Sequence, residues 1–543
     1  MHCMAPRRVC ELWGKGGRMK YASVKQRGFN ALSSLLAVAF ATVGLAVAST
    51  SSVASAASGN SLVIGSAVAP PSLDPTSNAS AAIDEVFDYN VYQHLVELDP
   101  KGQVIPVLAT GYKVAADGLT YTFTLRSGVV FSNGDPMTAA DVVYSLKRAV
   151  DPKSGYPYQS LVADVSAVSS PDSSTVVVTL SHPDNQFLYN LAAYSNGIVL
   201  DPTQVANIAT SPVGTGPYMY QSQISNYNVV LVANPKYWGT KPALSTVTWR
   251  YFASASTMDS ALQSGQIQVI DNLDNSQNVS LFKHNSAFKV VHGPTNGKID
   301  LTINNSSGPL KNLKVRRAIS YAIDKKAILK TVGAGYGTVI GSDQVPGDPW
   351  YTPSVNRMYS YSVKKAKKLL AQAGYKHGFS LVLTLPPYGY ATQAGPLIQA
   401  ELAAVGVRVT IKNIAWALWI SKVFEGHQYQ LTIIDQVEAR DIGEYGDCTY
   451  YFNYAGCKAV GTMMSAATTA TTTAKEISLF RAIVHKISAD AANLWLYNPD
   501  QLTVADANVV GLPGSGLTES FNVSYVSIGG SVPAQAAAEG FAS

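Results

Sequence analysis

Residues 119–146 constrain this chain more than any other stretch. Residues 119–126 (LTYTFTLR) alternate apolar and polar side chains, the period of a half-buried strand. Asn133-Gly134-Asp135-Pro136 then supplies a turn. Thr138 with Asp141 forms a capping box that opens a helix, whose apolar stripe is Val142, Leu146, Ala149 and Val150. No residue in this strand, turn and helix is a nucleophile, base or metal ligand. The stretch reads as scaffold rather than as chemistry.

At 543 residues the chain exceeds what one hydrophobic core usually organises, so at least two lobes are expected. Only 14% of residues are charged and 30 are Tyr, a composition that excludes disorder and offers aromatic lining. The net charge of +5 is misleading. Residues 1–57 hold seven Lys or Arg and a single acid, Glu11, and the remainder carries 33 basic and 34 acidic residues. Such a balance leaves no electrostatic footprint for nucleic acid or anionic lipid.

Residues 1–57 read as a leader and signal peptide with a start at Met19. Lys20, Lys25 and Arg27 precede an apolar stretch at 31–48, and Ala54-Ser55-Ala56 is an A-x-A cleavage site. An uncleaved anchor is the alternative, because the apolar stretch approaches spanning length. No Cys lies between Cys10 and Cys448, which gives no support to a lipid anchor. Cys448 and Cys457 remain in the exported part and point to a disulfide, with free thiols as the alternative.

Beyond the leader, strands are expected at 61–68, 174–180, 228–232 and 246–252. A helix around 311–330, a helix at 362–373 and a strand at 379–385 follow. After them come a helix at 396–405, a strand at 407–412, a helix after Trp416 and a strand at 429–434. This alternation predicts an α/β lobe around a central sheet. The Thr-rich run at 466–474 is expected to be an exposed loop.

Several further segments have a common pattern. They are Leu73-Asp74-Pro75, the stretch VYQHLVE at 91–97, Val213-Gly214-Thr215-Gly216-Pro217-Tyr218 and Asn234-Pro235-Lys236-Tyr237-Trp238. ALQSGQI at 261–267, Asn304 with VRRAISYAIDK at 315–325, and AKKLLAQAGY at 366–375 complete the set. Together with residues 129–146, and in this order, they resemble the extracellular solute-binding proteins of family 5, which deliver peptides and similar solutes to ABC importers. Gln268 stands where the family usually has Asp. Read locally, Gly214, Gly216 and Pro217 serve turn geometry, Asp324 is a hydrogen-bond partner at a helix end, and Arg316 and Arg317 line a solvated face or a lobe contact.

The resemblance implies an α/β, two-lobed fold like the periplasmic binding proteins (type II, cluster C), closing over solute by a hinge. Lobe I would span 58–294 with an extra subdomain at 88–205, lobe II 295–492, and residues 493–543 would return to lobe I. It also implies an exported, monomeric importer component without cofactor or metal, acting with a membrane permease in the periplasm or at the outer face of the membrane. The expected solute is an oligopeptide, held by an acid in the loop after the 429–434 strand: Glu438, with Asp441 at a second acidic position. Arg440 could pair with either acid. Trp416 and Trp419 are candidate stacking surfaces, with core packing as the alternative. Tyr388 and Tyr390 are further candidates, and Ala81 and Ala82, ahead of a helix at 91–97, fall where relatives present backbone to solute. Tyr445, Tyr450, Tyr451 and Tyr454 either wall the cleft or pack together around the Cys448 to Cys457 loop. Residues 386–393 contain no Arg or Lys, whereas dipeptide binders place an Arg there for the solute's carboxylate.

Other classes remain open at this point. An oligosaccharide, an opine or a nickel chelate would suit the same fold, although the eight His are too scattered to ligate nickel directly. A sensor that passes its solute to a receptor would share the sequence pattern. A secreted peptidase is disfavoured, since the chain has no G-x-S-x-G and no H-E-x-x-H.

Overall fold

The computed structural model describes residues 60–273 and 275–542; the expected leader, start at Met19 and cleavage site at 54–56 lie outside them. The chain enters on β1 (Ser61–Ser66) and turns into α1 (Ala81–Phe87). An insertion follows, built on β2 (Ala109–Val114), β3 (Thr120–Leu125), α2 (Ala139–Val150), β4 (Val165–Asp172), β5 (Thr175–Leu180) and α3 (Phe187–Ala193). Its four antiparallel strands run in the order β2-β3-β5-β4. The α2 capping box forms as its sequence dictates, with the Thr138 backbone N–H donating to Asp141 at 2.7 Å. Val142, Leu146 and Ala149 face the sheet and are buried with Phe123, Val176 and Val178.

The chain then adds β6 (Tyr218–Ile224), β7 (Asn228–Ala233), β8 (Thr246–Tyr251), β9 (Val269–Ile270) and β10 (Phe288–Pro294). A second α/β half comprises β11 (Lys298–Ile303), α4 (Leu313–Ala322), α5 (Lys325–Val332), β12 (Gly337–Val339) and α6 (Val363–Gln372). It continues through β13 (Phe379–Leu385), α7 (Gly389–Ala403), β14 (Val407–Asn413), α8 (Trp416–Trp419) and β15 (Leu431–Gln436). It ends with α9 (Cys457–Thr468) and α10 (Thr473–Ala489). The 13-residue β16 (Leu494–Asp506) returns, pairing β11 through Leu494–Tyr497 and β10 through Asp500–Asp506. One twelve-stranded sheet results, in the order β14-β13-β15-β11-β16-β9-β1-β8-β7-β6, with β10 and β12 also on β16. Separate apolar cores pack on its two halves, one around Leu301, Leu383 and Ile433, the other around Leu62, Trp249 and Val269.

Several expectations need correction. No helix forms at 91–97; that stretch ends in a short strand, Val96–Leu98, and the helix is α1 upstream. The helix expected at 311–330 is two helices. Asp324 interrupts it, its side chain accepting from the N–H groups of Lys326 and Ala327 as the cap of α5. Pro396 does not open α7 but sits inside it, so the helix begins at Gly389. The last parallel strand is displaced to Leu431–Gln436, and most of the Thr-rich run is helical, with a loop only at 469–472. Arg316 is buried and Arg317 half-buried rather than lining a solvated face; they donate to the carbonyls of Ala489, Asp490 and Ala491 at the end of α10. Gly214 and Gly216 are small for a different reason than turn geometry: a Cβ at Gly214 would collide with the backbone carbonyl of Val91, and one at Gly216 with those of Asn90 and Val91.

Candidate functional site

Strands β13, β14 and β15 lie parallel, so their carboxyl ends open on one edge of the sheet. Open α/β sheets bind ligands at that edge because loops and helix starts converge there. Tyr388 immediately precedes α7 and stacks with Tyr390 at 5.7 Å between ring centres. Trp416, first residue of α8, meets Tyr388 edge-on at 5.2 Å. All three side chains are half-buried. Trp419 lies beneath, parallel to Trp416 at 4.9 Å, fully buried and donating its indole N–H to Thr432 at 2.9 Å. Trp419 is therefore the floor of the platform and offers neither an open face nor a free donor.

The loop after β15 is organised by Lys298, the first residue of β11. Its ammonium donates to the backbone carbonyls of Asn296 and Glu438, each at 2.9 Å, and pairs with Asp441 at 2.7 Å. Three donors thus have three acceptors. Burial alone would lower the Lys298 ammonium, but Asp441, Asp343 and Asp348 outweigh it and hold it firmly charged. Asp441, one of the two candidate acids, is held in this pair through its Oδ1.

Glu438 is the other candidate acid. Its Oε2 is buried without a hydrogen-bond partner. Burial first, then the charge of Asp441 and more weakly Glu519, push its carboxyl up to about 7, with Lys298 opposing. Buried polar atoms without partners are rare in proteins, and the neighbouring Asp435 and Glu444 each hold one as well.

Residues from the first half of the chain approach Glu438 from the other side. Tyr158 and Tyr194 are in contact at 4.7 Å between ring centres, and the Tyr194 hydroxyl donates to the carbonyl of Ala439 at 3.3 Å. Burial raises the Tyr158 phenol, and the charges of Glu519, Asp84 and Glu438 raise it further. Asp84 belongs to α1, which begins at Ala81 and Ala82; the first is exposed and the second buried. The 519–523 segment is bound to α1, with the Phe521 N–H donating to the Glu85 carbonyl at 3.0 Å. Asp84 and Glu519 make no ion pair among the described residues. Lys298, Tyr158, Tyr194 and Glu519 were not singled out from sequence. Only Lys298 carried a signal: a lysine opening an otherwise fully buried strand beside Asp300.

The aromatic cluster near the disulfide is core rather than cleft wall. Tyr445, Tyr451 and Tyr454 are buried, and Tyr445 packs against Phe452 and Trp495. Tyr450 donates to Glu444 at 2.6 Å. Cys448 and Cys457 are disulfide-bonded, with Cα atoms 5.1 Å apart. Among the described residues, no group of three His, Cys, Asp or Glu side chains is arranged to hold a metal ion. No helix among them is long and apolar enough to cross a membrane.

Comparison with known proteins bears on this geometry. A family model described as bacterial extracellular solute-binding proteins, family 5 (middle), matches residues 103–443. The glutathione-binding protein GsiB of Salmonella typhimurium is 32% identical over 345 residues, 62% of this chain and 66% of that one. Thus the match covers slightly less than two thirds of that relative's length. Heme-binding protein A of Haemophilus influenzae is 29% identical over 437 residues, 73% of this chain and 79% of the relative. Among solved structures, the ABC transporter substrate-binding protein CtaP of Listeria monocytogenes has a TM-score of 0.78. It is 21% identical, with 87% of this chain and all of that one covered, a likeness of fold.

Proposed function

The chain belongs to the bacterial extracellular solute-binding proteins of family 5, and from that premise we propose that it is the exported, solute-capturing subunit of an ABC importer for oligopeptides. The family is one of binding proteins, not enzymes. The observation that carries the peptide reading is Glu438: a half-buried residue whose Oε2 is buried without a hydrogen-bond partner, in the loop that follows the parallel strand β15. A peptide's amino terminus supplies the missing donor and the missing charge. The Tyr388, Tyr390 and Trp416 platform would stack on peptide planes or side chains. Lys298 holds the Glu438 loop in position without reaching the solute, and Ala81 and Ala82 would offer backbone from α1.

Charge narrows the solute further. Lys298 is paired with Asp441, and Arg440 lies over the Tyr189 ring and donates to Gln186, so neither is free to clamp a carboxylate. Residues 386–393 add no cation. This favours peptides long enough for their carboxylate to reach solvent over free dipeptides. It also disfavours glutathione, which carries two carboxylates for which these residues offer no cation.

In this reading β16 is the crossover between lobe I (58–294 with 493–543) and lobe II (295–492), and closure brings Tyr158 and Tyr194 onto the Glu438 loop. A thermal-shift panel on the purified protein tests the solute class, with tri- to pentapeptides, dipeptides, glutathione, heme, oligosaccharides and nickel chelates. Peptides of three to five residues should stabilise it; at 100 times the dissociation constant the gain is about 2.7 kcal/mol. Stabilisation by heme, sugars or chelates alone would overturn the peptide reading and leave the family standing.

A further inference from the structure

Asn185 and Gln186, just ahead of α3, reach across to a part of the chain some 280 residues away. The Asn185 backbone N–H donates to the Thr468 carbonyl at 3.0 Å, and its side-chain amide donates to the Ala467 carbonyl at 2.7 Å. Gln186 uses both ends of its amide. Its oxygen accepts from Arg440 at 2.9 Å, and its nitrogen donates to Glu476 at 2.8 Å. Arg440 also lies 3.4 Å from the Tyr189 ring centre, a cation–π contact at close range.

Arg440 itself has φ of 55°, in the left-handed region that is strained for a residue with a side chain. That backbone turns the side chain at 440 towards Gln186 while Glu438, two residues earlier, lies at the cleft. The end of the Thr-rich α9 and the first turn of α10 supply the opposing acceptors.

We propose that Gln186 is a positioning residue for solute retention: it joins Arg440 and Glu476 when the lobes close and slows release without touching solute. The proposal rests on the reading that 184–194 and 439–476 lie on opposite lobes. An amide is suited to this role because it satisfies a cation and an anion together. A carboxylate at 186 would keep Arg440 and repel Glu476.

The test uses Gln186→Glu alone and combined with Glu476→Gln, which restores a donor opposite the new carboxylate. Hydrogen exchange on the intact protein reads the latch directly. Gln186→Glu should deprotect the amides around 184–187 and 467–472 at least tenfold and leave β3 and β5 unchanged, and the double variant should regain protection. With tetra-alanine as probe, the dissociation rate should rise about tenfold in Gln186→Glu, return in the double variant, and leave the association rate within twofold. Unchanged exchange, or no rescue by Glu476→Gln, overturns the proposal. Failure of wild type to bind tetra-alanine or any other peptide would instead defeat the peptide reading, and the exchange result would still decide the latch.

Discussion

Lys298 and Asp441 meet at 2.7 Å with both side chains almost wholly buried, and the same ammonium holds the carbonyl of Glu438. A strand residue and a loop residue 143 positions apart thereby fix the backbone that presents the candidate solute-binding acid.

Breaking that pair from one side leaves a buried charge uncompensated. Asp441→Asn and Lys298→Met should each destabilise by about 3–5 kcal/mol in urea unfolding, and the double variant by less than their sum. Losses below 1 kcal/mol in both singles would show that the pair does not organise the loop.

The disulfide closes a short loop whose ends are nine residues apart. Replacing Cys448 and Cys457 by Ser should cost about 2–3 kcal/mol, and reduction of wild type should give the same shift. Solute affinity should stay within threefold, because the tyrosines around the loop pack into the core rather than the cleft.

The two tryptophans should separate cleanly. Trp416→Ala is expected to weaken peptide binding about tenfold with little change in Tm, as removal of a stacking surface does. Trp419→Phe should lower stability by about 1–3 kcal/mol through the lost Thr432 hydrogen bond and a poorer fit, with affinity unchanged. Equal effects on affinity would contradict the platform geometry.

Acidity should act on stability and on binding in opposite directions. The Glu438 carboxyl is raised from an ordinary value near 4.5 to about 7, so folding favours its protonated form. Its stabilising contribution is complete below about 4.5 and is lost as pH rises towards 7. Binding of an amine needs the carboxylate, so affinity should instead tighten roughly tenfold per pH unit between about 5 and 7, then level off. Calorimetric titrations across that range check it, and Glu438→Gln should flatten the profile.

Much of this architecture was legible because local chemistry and tertiary context agreed. The strand at 379–385 alternates cleanly and was read to its exact ends, and Thr138 with Asp141 fixed the start of α2. Failures came where context overrode local signals. Pro396 reads as a helix start yet is carried inside α7, and threonines that suggest a loop end α9 and begin α10. In the candidate site, Glu438 and Trp416 are named through the family resemblance, which implies an acid and a Trp after those strands. Lys298, Tyr158 and Glu519 could not be named in advance, because only the fold brings residues so far apart in sequence to one place. Asp441 and Glu438 look alike in sequence, and only the fold shows that Lys298 takes the carboxylate of the first and the backbone carbonyl of the second.

The central claim is that Glu438 receives a peptide's amino terminus, and titration calorimetry with tetra-alanine and its N-acetylated form tests it most directly. Wild type should prefer the free amine by at least tenfold, consistent with about 1.5–3 kcal/mol for a charge-assisted hydrogen bond, and Glu438→Gln should lose that preference while keeping its fold. Equal affinity of wild type for both peptides, or an undiminished preference in Glu438→Gln, would contradict the account.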